Sequence, residues 1–500
     1  MRCLVRPRVW LLVSVLLTLT CVARVQADAF SAMEMEDPEL VLDASIHVHT
    51  QYSTGRSALA DVVDDARRLG IDVVVITDDD LLEVSYGIAP WRNLLRVTRS
   101  YRSLLGSDTL DEYLTEIRRL DALHDDIIVI DGVESAPFYH WDVDVFNQRA
   151  TVGGWNKHLL AVGLDNADAY RHLPILGGDG NWLPGRRWLL LWPIAGLLWA
   201  ALLGSNRKRL RSVVIIICCL FLGDSLVSGL RLPRFQPYDA AVESAVFNAY
   251  FDAVNQSGGL SFWAHPEAAS TIPPLQVFGG VATVASQTRP HAQDLLETSG
   301  YTGFAALYAD HITATEPDQQ WDQTLSAYLR GERQRPVWGT GEIDYHENVT
   351  GNRLHDILTV LRVKARSRGG VLQALRDGGS YAVRGGDDRL RLTRFQIQSA
   401  GGAVAKSGQV LTTDQEARVL VDLDKVNGVR ERVEVRLIRG DRDQAQIVAR
   451  LEGVTPLQMA HIDALQNGET GYYRVMARTG TSTLTSNPIF VTNTTRPTGQ

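Results

Sequence analysis

From residue 40 onward, short apolar runs alternate with stretches of helical spacing. Residues 44–49 (ASIHVH) form a brief apolar segment, and residues 57–69 repeat apolar positions at helical intervals up to Gly70. Residues 72–77 (DVVVIT) are a β-branched run of the kind buried on both faces of a sheet. The pattern then predicts a long helical region over 90–123, strands at 127–130 and 158–162, and a helix over 240–254. Strands at 260–264 and 304–308, a helix at 321–330 and a strand at 336–340 complete the series. Such alternation predicts an α/β architecture. From Arg389 the pattern changes. LRLTRFQIQ, ARVLVDLD, RVEVRLIRG, YYRVMART and NPIFVTN are alternating or β-branched segments with no helical stretch between them. They predict a separate all-β sandwich over 385–494, followed by a loose tail in NTTRPTGQ.

Three apolar stretches break this order. Arg2, Arg6 and Arg8 precede a short apolar run over 9–20, and Val25 and Ala27 are small enough for a cleavage site, so residues 1–27 read as an export signal. An uncleaved anchor is the alternative; Leu19 and Thr20 argue against lipidation at Cys21. In mid-chain, residues 188–204 (WLLLWPIAGLLWAALLG) and 212–230 (SVVIIICCLFLGDSLVSGL) each approach the roughly 20 residues that cross a bilayer. They are joined by the basic linker SNRKRLR and predict a transmembrane hairpin over 186–231. Asp224 is costly inside a span, and it calls for a place near the outer interface or a polar partner. Arg186, Arg187, Arg231 and Arg234 offset the linker's basic residues, so orientation rests on the signal.

Composition narrows the chemistry. Five hundred residues suffice for two or three domains. A net charge of -8 argues against a nucleic-acid partner held by phosphate neutralisation. Cys3 and Cys21 lie in the N-terminal segment and Cys218 and Cys219 inside an apolar run, so a metal in the soluble parts must be held by His, Asp and Glu.

Those residue types collect at strand ends. His47 and His49 close the first strand at alternate positions, which face the same way on a strand. Asp78 and Asp79 close the second, Glu134 follows the third in DGVES, and His158 begins the fourth. His265 ends the fifth in AHPE, and Asp344 and His346 follow the last in GEIDYH. In a barrel of parallel strands such ends converge on one mouth. Singly, each has an ordinary explanation as a cap, a turn or a solvated strand end. Together, five of the 12 histidines at strand ends beside Asp79, Glu134 and Asp344 point to a metal site. His124, His140, His172, His291, His311, His355 and His461 lack such partners and are expected on the solvated surface.

The succession IHVHT, SALADVVDDARRLGIDVVVITD, GVES, KHLL, AHPE and DYH resembles PHP (polymerase and histidinol phosphatase) domains in order and spacing. The resemblance covers residues 40–384 and implies a distorted (β/α)7 barrel, interrupted by the hairpin, that hydrolyses phosphoesters with two or three divalent ions. By the same resemblance His47, His49, Glu134 and Asp344 would hold one ion, and Glu134 would bridge to a second held by His158 and His265. Asp79 and His346 would belong to a third site. This chain has Asp79 where the family has a histidine, and Thr54 where it has an acid or histidine, so two ions are the expectation. The mixed His and carboxylate set suits Zn, Mn or Fe. Glu134, Asp344 and Arg384 are the candidate catalytic residues, and Arg56 and Arg384 the candidate phosphate-binding cations. Because His158 precedes the apolar pair and His265 follows it, an even number of crossings is needed for both to reach one cluster. The reading is therefore a bacterial inner-membrane protein with its catalytic and C-terminal domains in the periplasm, acting on a small-molecule phosphoester. Alternatives are a hydrolase of neutral carboxyl or carbamate esters or amides, as in the carbaryl-hydrolase-like branch, and a non-catalytic membrane-bound binding protein.

Overall fold

The computed structural model describes residues 39–494 except 165, 184–186, 204, 278–281, 310, 348–351 and 464–467. The signal segment over 1–27, Arg186 and the end of the C-terminal tail lie outside the described residues. Seven short strands carry the first part of the fold: β1 (Leu40–Val48), β2 (Val73–Ile76), β3 (Ile128–Ser135), β4 (Leu159–Val162), β5 (Leu260–Trp263), β6 (Gly303–Leu307) and β7 (Trp338–Gly341). They neighbour one another in the order β7-β6-β5-β4-β3-β2-β1. The chain beyond β7 then returns to β1. Ile343 N donates to Ile46 O at 3.1 Å, Tyr345 N to His47 O at 2.9 Å, and His49 N to Tyr345 O at 2.9 Å.

The β-branched runs are buried on both sides, as their sequences require. One face of the strands, with Ile46, Val73, Val75, Ile130 and Phe262, packs on Val371, Ala374 and Leu375 of the helix Arg368–Asp377. The other face, with Val74, Ile76 and Val129, packs on the helices Leu59–Arg68, Leu110–Leu123 and Glu243–Gln256.

Two expectations are corrected here. Strand β4 runs antiparallel to both neighbours, whereas β1–β2, β2–β3, β5–β6 and β6–β7 are parallel. A parallel neighbour needs a crossover, usually helical; between β3 and β4 the chain holds instead the hairpin His140–Asp144 and Arg149–Gly153. That hairpin joins Ala282–Thr288 and Ser270–Val277 in a separate four-stranded sheet. The region 90–123 is not one long helix either. Only Leu110–Leu123 is helical, while Arg96–Ser100 pairs antiparallel with Glu83–Gly87. Cross-strand pairing of Val97 and Thr98 overrides the weak helical spacing.

Of the two apolar runs, one forms a helix long and apolar enough to cross a membrane, Lys208–Val227. The other forms a turn of 3-10 helix, Arg187–Leu191, and then Trp192–Leu202. Eleven α-helical residues span roughly 17 Å, well short of the roughly 30 Å hydrocarbon core. The two helices approach closely at Gly196, where a Cβ would meet Cys218 Sγ at 2.5 Å. Both ends of the insertion emerge side by side, with Leu183 N donating to Leu232 O at 2.9 Å.

The C-terminal strands form two layers. One holds Val404–Lys406, Leu390–Ser399, Ala417–Lys425 and Leu457–Asp463. The other holds Ala445–Val454, Arg432–Gly440, Thr470–Arg478 and Thr483–Ser486, and runs on through β9 (Ser380–Arg384) and β8 (Ile357–Val363) to β1. Val419, Val421 and Phe395 meet Val435, Val475 and Leu484 between the layers, together with Leu358 and Val383 of β8 and β9. A buried ion pair adds a second tie to the first part of the fold. Arg474 donates from Nε and Nη2 to Asp322 at 2.8 and 2.6 Å, and Tyr472 Oη donates to the same carboxylate at 2.7 Å.

Candidate metal centre

Each ligand candidate is placed by a strand end. His47 sits at a register shift between β1 and β2, with φ +72°, in the left-handed region that non-glycine residues avoid. His265 and Asp344 also have positive φ, 30° and 49°. Strained backbone of this kind costs on the order of 1–3 kcal/mol per residue, and here it recurs at three residues whose side chains meet. The antiparallel direction of β4 explains why a residue at its start joins residues at the ends of others. Ser135 pairs with Leu159 and Leu159 with Trp263, which brings His158 beside the ends of β3 and β5.

The result is two groups sharing one carboxylate: His47, His49, Glu134 and Asp344, and Glu134, His158 and His265. His47 Nε2 lies 3.0 Å from Glu134 Oε1 and 3.4 Å from Asp344 Oδ1. His49 Nε2 lies 3.2 Å from Glu134 Oε2 and 3.4 Å from Asp344 Oδ1. His158 Nδ1 lies 2.8 Å and His265 Nε2 3.4 Å from Glu134 Oε1. His47 and Glu134 are buried.

The donor set fits a divalent cation on two grounds. Nε2 of both His47 and His49 is buried and makes no directed hydrogen bond, despite the nearby carboxylates. Spacings of 3.0–3.4 Å also match the roughly 3.3 Å between ligand atoms around a tetrahedral ion with bonds of about 2.0–2.1 Å. Without a cation, protons balance the charge. Burial lowers the His47 ring's affinity for a proton, but Glu134 and Asp344 outweigh it and hold the ring up at about 10. Burial likewise opposes the charge on Glu134, yet His158 and His47 hold it well below the usual carboxylate range. A metal bound here would displace protons from the imidazoles.

Residues around the cluster orient it. Glu342 Oε2 faces His47 Nδ1 at 3.3 Å, and Thr340 Oγ1 donates to Glu342 Oε1 at 2.9 Å. Tyr308 Oη donates to Asp344 Oδ2 at 3.1 Å. The sequence reading singled out neither Glu342 nor Tyr308. Glu342 stands two residues from Asp344 in a strand-end motif already read as metal-binding, and that spacing was the available signal.

Asp79 and His346 meet around Thr54 rather than around the shared Glu134. Thr54 Oγ1 donates to Asp79 Oδ2 at 2.7 Å and lies 3.0 Å from His346 Nε2 and 3.3 Å from His49 Nδ1. Asp78 has a structural part, accepting hydrogen bonds from Thr50 N, Thr50 Oγ1 and Ser53 Oγ. Arg384 donates to Ala309 O, next to Tyr308. Arg56 is exposed and bonds to none of the cluster residues.

Two of the histidines expected at the surface are buried. His291 is 4% exposed against Trp263, and burial pulls it down to about 3. His355 is 3% exposed, with Nε2 3.1 Å from Asp387. His311 is exposed but stacks on Tyr308, with ring centroids 6.2 Å apart.

No family model and no curated protein matches the chain. Among solved structures it is similar to a two-domain protein from Bacteroides vulgatus described as containing a predicted PHP-like metal-dependent phosphoesterase. The identity is 11% over 88% of this chain and 90% of that one, with a TM-score of 0.34. It is also similar to a Bifidobacterium adolescentis protein assigned as a metal-dependent phosphoesterase. There the identity is 15% over 66% of this chain and 95% of that one, with a TM-score of 0.29.

Proposed function

We infer that the chain is a metal-dependent phosphoesterase of the PHP type, its strand ring a distorted (β/α)7 barrel over 40–384 with a β-sandwich over 385–494. One observation carries the reading: His47, His49, Glu134 and Asp344 converge on one centre, and Glu134 is shared with His158 and His265. Divalent Zn, Mn or Fe held there would neutralise phosphoryl oxygens and acidify water.

The chain's own residues prepare that chemistry. Glu134 touches both groups and so fixes their separation. Glu342 engages Nδ1 of His47 and leaves Nε2 for the centre. Tyr308 engages one oxygen of Asp344 and leaves the other toward His47 and His49. Thr54 joins Asp79 to His346, which supports two ions rather than three. Arg384, tied to the segment that carries Tyr308, is the candidate to meet a phosphate oxygen.

The apolar helices tether this enzyme to a membrane. With the export signal, they support a bacterial inner-membrane location with the catalytic and C-terminal parts in the periplasm. The adjoining ends of the insertion, at Leu183 and Leu232, support a return to the same side.

The test is metal content together with turnover of a phosphomonoester, a phosphodiester and a carboxyl ester, for the intact chain and for His47→Ala and Asp344→Ala. Two ions and phosphoester turnover, both lost in the variants, are expected. Hydrolysis of neutral esters is a second reading, favoured by one feature: among the described residues, no Lys or Arg pairs with the cluster carboxylates. Turnover of the carboxyl ester alone would replace the first reading with it, and an inert, metal-free protein would overturn both.

A further inference from the structure

Asp224 lies one turn from the end of the apolar helix Lys208–Val227, and its partner comes from far away in sequence. Oδ1 accepts from the backbone N of Asn93 at 2.7 Å and of Leu94 at 2.8 Å, and Oδ2 accepts from Asn93 Nδ2 at 3.0 Å. Three donors satisfy a carboxylate that would otherwise be costly on such a helix. The donors belong to residues 88–95, the tip of the hairpin formed by Glu83–Gly87 and Arg96–Ser100. Aromatic packing continues the contact, with Trp91 6.0 Å and Trp192 5.2 Å from Phe221 between ring centroids.

The same hairpin is rooted at the metal centre. Its first strand follows Asp79 and Asp80, and its second leads back to them, where Leu104 N donates to Asp79 O and Leu105 N to Asp80 O. Its first strand is also braced from behind: Trp141 Nε1 donates to Ser85 O, and Gly87 N donates to Tyr238 Oη. Five strand residues reach roughly 17 Å. A braced hairpin of about that length therefore links the strand-end cluster to the end of the apolar helix.

The tip and the returning strand are built for a membrane surface. Ile88, Leu94, Leu95 and Val97 are exposed at 54%, 41%, 45% and 57%. Between Trp91 and Arg102 the sequence carries Arg92, Arg96, Arg99 and Arg102 and no acidic residue. Arg96 is paired with Glu83, whereas Arg99 and Arg102 are exposed. Apolar side chains with interleaved cations bind an anionic interface by combined burial and attraction. The helix beside them is itself bare, with Ile216, Leu226 and Val227 exposed.

We propose that the 83–100 hairpin docks on an anionic bilayer surface beside the apolar helices, clamped there by Asp224. The clamp holds the exposed positions of the hairpin, from Ile88 to Arg102, against the lipid. This rests on the reading of Lys208–Val227 as a membrane span, and the test separates the two. The full chain, with its native cysteines replaced by alanine, is reconstituted in nanodiscs containing phosphatidylglycerol. A polarity-sensitive fluorophore is placed in turn at Leu95→Cys, at Ile216→Cys and at Leu123→Cys, the last an exposed position on the helix Leu110–Leu123.

The Leu95 probe is expected to be quenched by head-group spin-labelled lipid at least threefold more than the Leu123 probe. Added Arg99→Glu and Arg102→Glu changes are expected to reduce that quenching at least twofold. A Leu95 probe as open to iodide as the Leu123 probe, with the Ile216 probe shielded, overturns the docking and leaves the span standing. An iodide-accessible Ile216 probe overturns the span and the docking with it. Quenching at Leu95 that is unchanged in nanodiscs of phosphatidylcholine alone overturns the anionic preference.

Discussion

Thr54 Oγ1 lies 3.0 Å from His346 Nε2, joining the loop after β1 to the loop after β7 across 292 residues. The same hydroxyl bonds to Asp79. A neutral hydroxyl offers weak ligation and no charge, so it favours hydrogen bonds over an ion among these three side chains. Thr54→Asp supplies the missing anion. The variant is expected to bind about one more equivalent of Mn or Zn than the unaltered chain, as read by elemental analysis after gel filtration; unchanged stoichiometry would refute the hydroxyl's role.

Glu342 holds the imidazole of His47 from the far side. Removing such an outer carboxylate typically weakens metal binding about 10- to 100-fold. Glu342→Gln keeps the shape and loses the charge, so its metal affinity should fall within that range at pH 7 while far-ultraviolet circular dichroism stays the same. Titration against a chelator of known affinity reads the shift.

Asp322 and Arg474 are both essentially inaccessible, at 1% and 0% exposure. Breaking one member of such a pair leaves the other charged and buried, at about 3–5 kcal/mol. Arg474→Met is therefore expected to lower unfolding stability by that order in urea, because it strands Asp322 with only the Tyr472 hydroxyl and the amide of Asp318. A change below about 1 kcal/mol would show that the tie between the two parts of the fold lies elsewhere.

His291 gives the stability a pH dependence of known sign. Burial lowers its proton affinity from 6.5 to about 3, so the unfolded chain takes up a proton at a pH where the native chain does not. Its contribution is fully present above pH 6.5 and is lost as pH falls from there toward 3. At about 1.36 kcal/mol for each unit, the loss reaches on the order of 5 kcal/mol. His291→Phe keeps a ring against Trp263 and should flatten this part of the stability profile, measured by urea unfolding between pH 4 and 7.

Much of the candidate site was legible because strand ends announce themselves. DVVVIT followed by Asp78 and Asp79, and ASIHVH ending in two histidines, mark both the element and the point where it stops. Their alternation suggested a shared face for His47 and His49, which do meet. The means differed, since a register shift with positive φ at His47 aims its ring, and no local pattern encodes that. The five C-terminal segments read as strands are strands, because alternation reports burial on one face directly. Residues 445–454 and 457–463 carry exposed charged or polar positions along a sheet edge and gave a weaker signal.

By itself, the sequence determined which residues are apolar, where strands end in His, Asp and Glu, and that no thiolate could serve a metal in the soluble part. Those are local properties, fixed by composition and by the two-residue period of a strand. Tertiary structure alone decided the antiparallel direction of β4 that brings His158 to Glu134, the hub at Thr54 and the burial of His291. It likewise decided the pairing of Asp224 with Asn93 and the sheet shared by β8, β9 and the C-terminal strands. Each of these joins positions far apart in sequence, and a contact of that kind is set by which surfaces remain to be covered once the local elements have formed.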